Sequence, residues 1–433
     1  MATPVSLEAL HRFHSYSARF PSEIVEDAIH KYTEPEDSIF DPFCGSGTTL
    51  VTALANKRKA VGTDIDILAG MLSQVKCTPV SREEYEKWRV EFTAKLDFAF
   101  DEISRAWKHR RPQIRPDTLQ SIGKLNLPIP ALPQLSYWFP PQVIASLAAI
   151  ADIAHEYKGT HYELVALVSL SASIIAKWPN TLSYAMDIDH TRPHRRVQKF
   201  TLDRIRDIYA TRLDRTLKSL GKIYETYEDV GIIDSLDDYA YVVWPHDARE
   251  TLSLVKSNSM ALTVTSPPYF NAVDYPRSHR LSTCWMNGYS PKDLSSRQGY
   301  VGLRGAPKID YTEWLEQHLE IKGVISRGVL LEPPIARRIV AFFDDLKAVL
   351  NQIKRVLRPG GHAVFVIGNN VIKGQRLESH LALSILASLA SFDEIEMTPR
   401  EIAIPRRRFP VGPFGFNGPM THEYVIVIRK PLA

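Results

Sequence analysis

Cysteine is scarce in this chain. Its 433 residues hold three, Cys44, Cys77 and Cys284, at wide and unpatterned spacings that offer no disulfide framework and no zinc site. No apolar run reaches the length of a membrane span. The N-terminus, Met1-Ala2-Thr3-Pro4-Val5, lacks the basic stretch and apolar core of a secretion signal. Neither an internal repeat nor a low-complexity tract is found. These absences point to a soluble cytoplasmic protein. Charge of one sign is also lacking: 53 Lys and Arg stand against 49 Asp and Glu, a formal net of +4, which permits nucleic acid as a partner without demanding it. Hydrophobic residues make up 44%, enough for a sizeable core, and the length suggests roughly two or three domains.

The first organised stretch is Asp41-Pro-Phe-Cys-Gly-Ser-Gly-Thr48. Ser38 to Asp41 reads as a short strand and Thr48 to Ala55 as a helix. Between them, Gly45-Ser46-Gly47 allows backbone conformations closed to other residues. A strand, a glycine turn and a helix make a nucleotide-type site, because free N–H groups at the helix start face the ligand. No Gly-Lys-Ser/Thr follows, so this is not a phosphate-binding Walker loop, nor is it the longer dinucleotide fingerprint. Ala60 to Thr63 forms a second strand that ends in Asp64, where Rossmann-like sites put a carboxylate for ribose hydroxyls. Asp66 is the fallback, and either Asp can instead cap a helix.

The α/β rhythm then stops. From about Thr78 to Ser235 long amphipathic helices alternate with proline-rich breaks, which predicts an inserted, mostly helical domain over 77–235. The rhythm returns at Tyr239-Ala-Tyr-Val-Val, with Asp247 just beyond, and at Met260 to Thr265. That second strand is stopped by Ser266-Pro267-Pro268-Tyr269. Neither proline can donate to a ladder and each fixes φ, so a stiff turn sits at a strand's carboxyl end, where open α/β sheets place ligands. Residues 271–330 read as a long polar and basic loop. Helices over Ala336 to Leu357 and His380 to Ala390, a strand near His362 to Ile367, the stretch Glu394 to Met397, a strand around Arg400 to Ile404 and a last strand ending at Arg429 complete the chain.

Together these motifs resemble the DNA amino-methyltransferases. Asp41 to Thr48 is similar to the family's cofactor loop, and Ser266-Pro-Pro-Tyr269 to its catalytic motif. Phe13 to Pro21 is similar to the segment that closes over the methionine part of the cofactor, and Arg355-Val-Leu-Arg-Pro-Gly-Gly to the turn into the fifth strand. The resemblance covers roughly 11–76 and 236–433 and leaves the insertion outside. It implies a Rossmann-like α/β core of residues 1–76 and 236–433 with a mixed seven-stranded sheet. It implies S-adenosylmethionine as cofactor, held by Tyr16, Phe20, Asp41, Phe43, Gly45, Gly47 and Thr48, with Asp64 on the ribose and Asp247 on the adenine amino group. It also implies catalysis by Ser266, Pro267, Pro268 and Tyr269. A serine at the first motif position leans to cytosine N4, an Asp or Asn to adenine N6.

The exocyclic amino nitrogen of cytosine is a poor nucleophile, because its lone pair is delocalised into the ring. Acceptors such as the Ser266 hydroxyl and the Pro267 carbonyl draw off its protons, and positioning then supplies much of the rate. Methylation at cytosine C5 would need a cysteine nucleophile after a proline, and no cysteine here follows one. Within a duplex the base must be flipped out, and Tyr269 can stack on it. Double-stranded DNA is thus the expected partner, with a cognate restriction endonuclease as a further candidate and neither metal nor membrane. Its backbone calls for cations: Arg192, Arg195 and Arg196 in the insertion, Arg277 and Arg280 in the loop, and Arg406 and Arg407 near the end. The rival readings are an adenine-N6 enzyme, an RNA or protein-glutamine methyltransferase, and an inactive DNA-binding homologue.

Overall fold

The computed structural model describes residues 7–16, 19–109, 112–185, 199–250, 252–270, 274–286, 299–302, 309–325, 330, 332–372, 375–402, 411–412, 415–416 and 421–432. In chain order the main elements are α1 (Ser22–Tyr32), β1 (Ser38–Asp41), α2 (Thr48–Ala55), β2 (Lys59–Thr63), α3 (Ile67–Cys77), α4 (Arg82–His109), α5 (Pro141–His155), α6 (His161–Ile174) and α7 (Leu202–Asp229). They continue with β3 (Ala240–Val243), β4 (Met260–Thr265), α8 (Tyr275–Thr283), α9 (Pro333–Val356), β5 (Leu357–Gly368), α10 (Ser379–Leu389), β6 (Asp393–Glu401) and β7 (His422–Arg429).

The chain divides into two compact units. One comprises Ala18–Ser73, Asp234–Asp274 and Arg297–Ala433. Its centre is a seven-stranded sheet in the order β6-β7-β5-β4-β1-β2-β3. β7 runs antiparallel to both neighbours, while the pairings of β1 with β2 and β4, of β2 with β3 and of β4 with β5 are parallel. This is the expected mixed Rossmann-like sheet. The inner strands are rich in apolar residues, as strands covered on both faces are; all six residues of β4 are buried. α2 is apolar on every side and buried from Thr48 to Leu54, and α9 lays its Ile339, Phe343, Leu346, Leu350 and Ile353 stripe into the same core. β1 lies between β4 and β2, so the strand order switches direction there, and open α/β sheets bind ligands at that crevice.

The other unit comprises Met1–Ser17, Gln74–Ile233 and Tyr275–Ser296. α5 and α6 are buried almost end to end, so they form its centre. α4 buries Tyr85, Trp88, Phe92, Leu96 and Phe100, and α7 buries Ile205, Tyr209, Leu213, Leu220 and Tyr227. That three-to-four spacing puts one stripe of each long helix inward and leaves the charged face outside. A hairpin, Leu119–Ile122 with Leu125–Pro128, adds two strands to this otherwise helical body.

Two boundaries differ from those the sequence suggests. The insertion is joined by the N-terminal segment, where His14 Nε2 lies 2.9 Å from Ser171 Oγ and Lys76 Nζ lies 3.2 Å from His11 Nδ1. Part of the expected 271–330 loop is helical, with α8 in this unit and Tyr311–Gln317 and Leu319–Val324 in the sheet unit. α8 escapes a periodicity search because its buried side includes Ser278, His279, Ser282 and Thr283 as well as Leu281. Among the described residues, no helix is long and apolar enough to cross a membrane.

Candidate active site

The carboxyl ends of β1 and β4 carry the two sequence motifs, and side-chain hydrogen bonds join them. Phe40 pairs with Thr263 across the two strands, which brings Asp41 beside the end of β4. The Thr265 hydroxyl donates to Asp41 Oδ1 at 2.6 Å, and the Phe43 amide donates to the same oxygen at 3.0 Å. Thr49, in the first turn of α2, donates to the Val264 carbonyl at 3.1 Å. The glycine loop and the Ser266 turn are thus fastened to each other from both sides. Burial pushes the Asp41 carboxyl up to about 6, against the pull of these donors.

The loop is closed by Gly47 N donating to the Cys44 carbonyl at 2.7 Å and by Gly45 N donating to Asp64 Oδ2 at 2.9 Å. Gly47 sits at φ +82, and a Cβ there would lie 3.0 Å from Ser73 Oγ and 3.1 Å from Ser73 Cα. Glycine is therefore required both for the left-handed backbone and for the close passage over α3. α2 follows at once, and a helix's first-turn amides have no partner within the helix. The start of α2 thus offers first-turn amides and the positive end of its dipole to whatever binds beside the loop.

Asp64 hooks this loop to β2. Its Oδ1 accepts the Asp66 amide at 2.9 Å and its Oδ2 accepts Gly45, leaving each oxygen a second lone pair. Burial, with the charge of Asp66 added, lifts its pKa to about 7. Asp66 is the helix cap: Oδ1 takes the Ala69 amide at 3.0 Å, and Oδ2 takes the Tyr300 hydroxyl at 3.0 Å. Asp247 is held by Arg249, whose Nε donates to Oδ1 at 2.9 Å and whose Nη2 reaches Oδ2. Arg249 Nη1 also donates at 2.7 Å to the fully buried Asp345. Burial works against the charge of Asp247, yet the Arg249 hydrogen bonds and charge prevail and hold its pKa below the usual carboxylate value.

In the turn itself, Pro267 is buried and Ser266, Pro268 and Tyr269 are half-buried. The Tyr269 hydroxyl lies 3.5 Å from the Val366 carbonyl on β5. Phe270 is buried against Phe342 of α9, ring centroids 5.6 Å apart, so it is a core residue. Phe43 packs on the same core and Phe20 lies half-buried just before α1. Tyr16 belongs to the helical unit, with its ring against those of Tyr275 and His279. Arg277 and Arg280, half-buried on α8, are in that unit too. Arg192, Arg195, Arg196, Arg406 and Arg407 lie outside the described residues. Among the described residues no group of three or more His, Cys, Asp or Glu is placed to hold a metal.

Residues 4–69, which include the glycine loop and Asp64, match the family model described as DNA methylase. Over that segment the chain is similar to the DNA methylases. Relatives align along nearly the whole sequence. The type II methyltransferase M.MvaI of Kocuria varians is 22% identical, over 98% of this chain and 91% of its own length. M.BsoBI of Geobacillus stearothermophilus, also a type II methyltransferase, is 22% identical over 90% of this chain and 80% of its own. A solved SAM-dependent methyltransferase of Methanosarcina mazei covers 94% of this chain and 97% of itself at 10% identity, with a TM-score of 0.30.

Sequence reasoning missed Thr265, Thr49, Arg249, Asp345 and Tyr300 in this site. Arg249 is signalled only by following Asp247 at two residues. Tyr300 and Asp345 lie far away in the sequence, and nothing local marks them.

Proposed function

We propose that this chain transfers a methyl group from S-adenosylmethionine to the N4 amino group of a flipped-out cytosine in double-stranded DNA. The observation that carries the reading is the Thr265–Asp41 hydrogen bond, because it fixes a methyl-acceptor turn against a nucleotide-type loop. The residues present suit the cofactor. Backbone amides of the first turn of α2 fit a carboxylate, and Asp64 offers remaining lone pairs to ribose hydroxyls. Asp247 stays ionised and accepts from an amino group. Bound there, the cofactor supplies an electrophilic methyl group on a sulfonium.

The protein's own residues do the rest. Ser266 Oγ and the Pro267 carbonyl accept hydrogen bonds from the amino N–H groups and favour a tetrahedral nitrogen whose lone pair is available; once methylated, the nitrogen releases one proton to solvent. The two prolines keep the acceptors from relaxing, so little reorganisation is needed when charge develops. Tyr269, tethered through its hydroxyl toward β5, offers its ring for stacking on the extruded base, a contact worth about 1–3 kcal/mol.

The test is methyl transfer from labelled S-adenosylmethionine to DNA, followed by nucleoside mass spectrometry. N4-methylcytosine is expected. N6-methyladenine would move the specificity to the adenine class, and absence of any methylated nucleoside across diverse DNA would overturn the reading. Ser266→Ala should lower transfer by about 100-fold or more with cofactor affinity retained; unchanged turnover would remove Ser266 from the chemistry.

A further inference from the structure

On α7 of the helical unit the charges sort by side. Arg206 pairs with Asp97 at 2.6 Å, and Asp214 is taken by Arg89 at 3.2 Å, so the edge facing α4 is neutralised. Arg204, Arg212, Arg215, Lys218 and Lys222 follow at intervals of eight, three, three and four residues, which keeps them along one side of a helix. None of the five pairs with a carboxylate among the described residues. The stripe is about 27 Å long at 1.5 Å per residue.

A second feature stands at its upper end. The turn Lys177-Trp178-Pro179-Asn180 is exposed at all four positions, and the Trp178 indole is 43% accessible. The turn is not loose. Arg204 Nη2 donates to the Pro179 carbonyl at 2.8 Å and Arg212 Nη2 to the Asn180 carbonyl at 3.0 Å. Arg204 also donates to the Lys199 carbonyl at 2.9 Å, with its guanidinium over the Phe200 ring. Two guanidiniums thus brace a turn presenting an indole to water. An exposed tryptophan alone means little. An indole fixed at the head of a cationic stripe that has no carboxylate partner among the described residues matches what nucleic-acid binders use, with cations following phosphates and an aromatic wedge or platform meeting bases.

We propose that this surface, the Arg204–Lys222 side of α7 with the Trp178 turn, is where the helical unit grips duplex DNA. The cations contact backbone phosphates whatever the sequence, and Trp178 meets the bases. The proposal rests on the DNA-methylation reading above and names the surface that reading needs.

The experiment measures binding of the full chain to a fluorescent duplex between about 50 and 200 mM salt. Arg215→Gln/Lys218→Gln/Lys222→Gln is the main variant, because those three exposed side chains brace nothing among the described residues. It should weaken binding at least tenfold at the lower salt and reduce the slope of log affinity against log salt by about 2–3. Trp178→Ala should weaken binding by about 5- to 100-fold, and Trp178→Phe should largely restore it. Cofactor affinity should be unchanged throughout, which separates lost contacts from lost folding. Variants that bind with wild-type affinity and slope overturn the surface and leave the methylation reading intact. A wild-type chain whose DNA binding responds to these substitutions as stated, yet which transfers no methyl group to DNA, supports the surface and overturns the methylation reading.

Discussion

Thr265 and Asp41 lie 224 positions apart in sequence and are joined by a 2.6 Å hydrogen bond from hydroxyl to carboxylate. The bond is possible because β1 and β4 are parallel neighbours at the point where strand order switches. One side chain ends the strand leading to the acceptor turn; the other begins the glycine loop. Thr265→Val keeps the shape and removes the donor. Its hydrogen bond favours the ionised form of Asp41, so its loss should raise a pKa already near 6. Cofactor binding near pH 6.5 should then fall by about tenfold, and recover in part toward pH 8.5 as Asp41 ionises again. Calorimetric titration at both pH values checks this; a loss independent of pH would mean that the bond matters for shape alone.

Much of this arrangement is legible in the sequence for a physical reason. A glycine loop, a strand-ending carboxylate and a proline-stiffened turn each need particular residue types at short spacing, so local patterns carry them. What is hidden arises from packing between distant segments. Asp66 and Asp64 are chemically equivalent in the sequence, and only the fold shows that Asp66 caps α3 while Asp64 hooks Gly45. Tyr16 meets Tyr275 and His279, whose rings lie against its own in the helical unit and which nothing near it in the sequence announces. α8 is hidden because its inward side is half polar.

Asp64 gives a prediction about stability. Its pKa in the fold is raised from 3.8 to about 7, chiefly by burial. The folded state therefore prefers the protonated form. The stabilisation is full below the unfolded value near 4 and is lost as pH rises through about 7. Asp64→Asn removes this dependence. Without cofactor, the variant should melt higher than wild type above pH 7, by an amount on the order of 2–4 kcal/mol at most, and should lose that advantage below pH 4. Cofactor affinity should move the opposite way, weakening at pH 7.5 where the ionised carboxylate is the better acceptor for hydroxyls. Thermal melts across pH, with and without S-adenosylmethionine, read both effects. A variant whose melting tracks wild type at every pH would show that Asp64 remains ionised in the fold.

Arg249 holds two carboxylates that differ in exposure. Asp247 is at the rim of the site and its side chain is 13% accessible, whereas Asp345 on α9 is completely buried and also accepts the Gly302 amide at 3.2 Å. Removing the arginine takes a guanidinium away from this buried charge, and breaking such pairs from one side costs about 3–5 kcal/mol. Arg249→Met should therefore destabilise the sheet unit by that amount in urea or guanidinium unfolding. Replacing both ends, Arg249→Met with Asp345→Leu, should recover much of the loss, because the desolvation penalty of the carboxylate goes with it, less the cost of the unpaired Gly302 amide. The double variant should still bind cofactor more weakly than wild type, since Asp247 then lacks the fork that fixes its orientation and holds its pKa down. Equal stability of the single and double variants would show that Asp345 takes up a proton when Arg249 is gone, and that the network's contribution is to shape the site around Asp247.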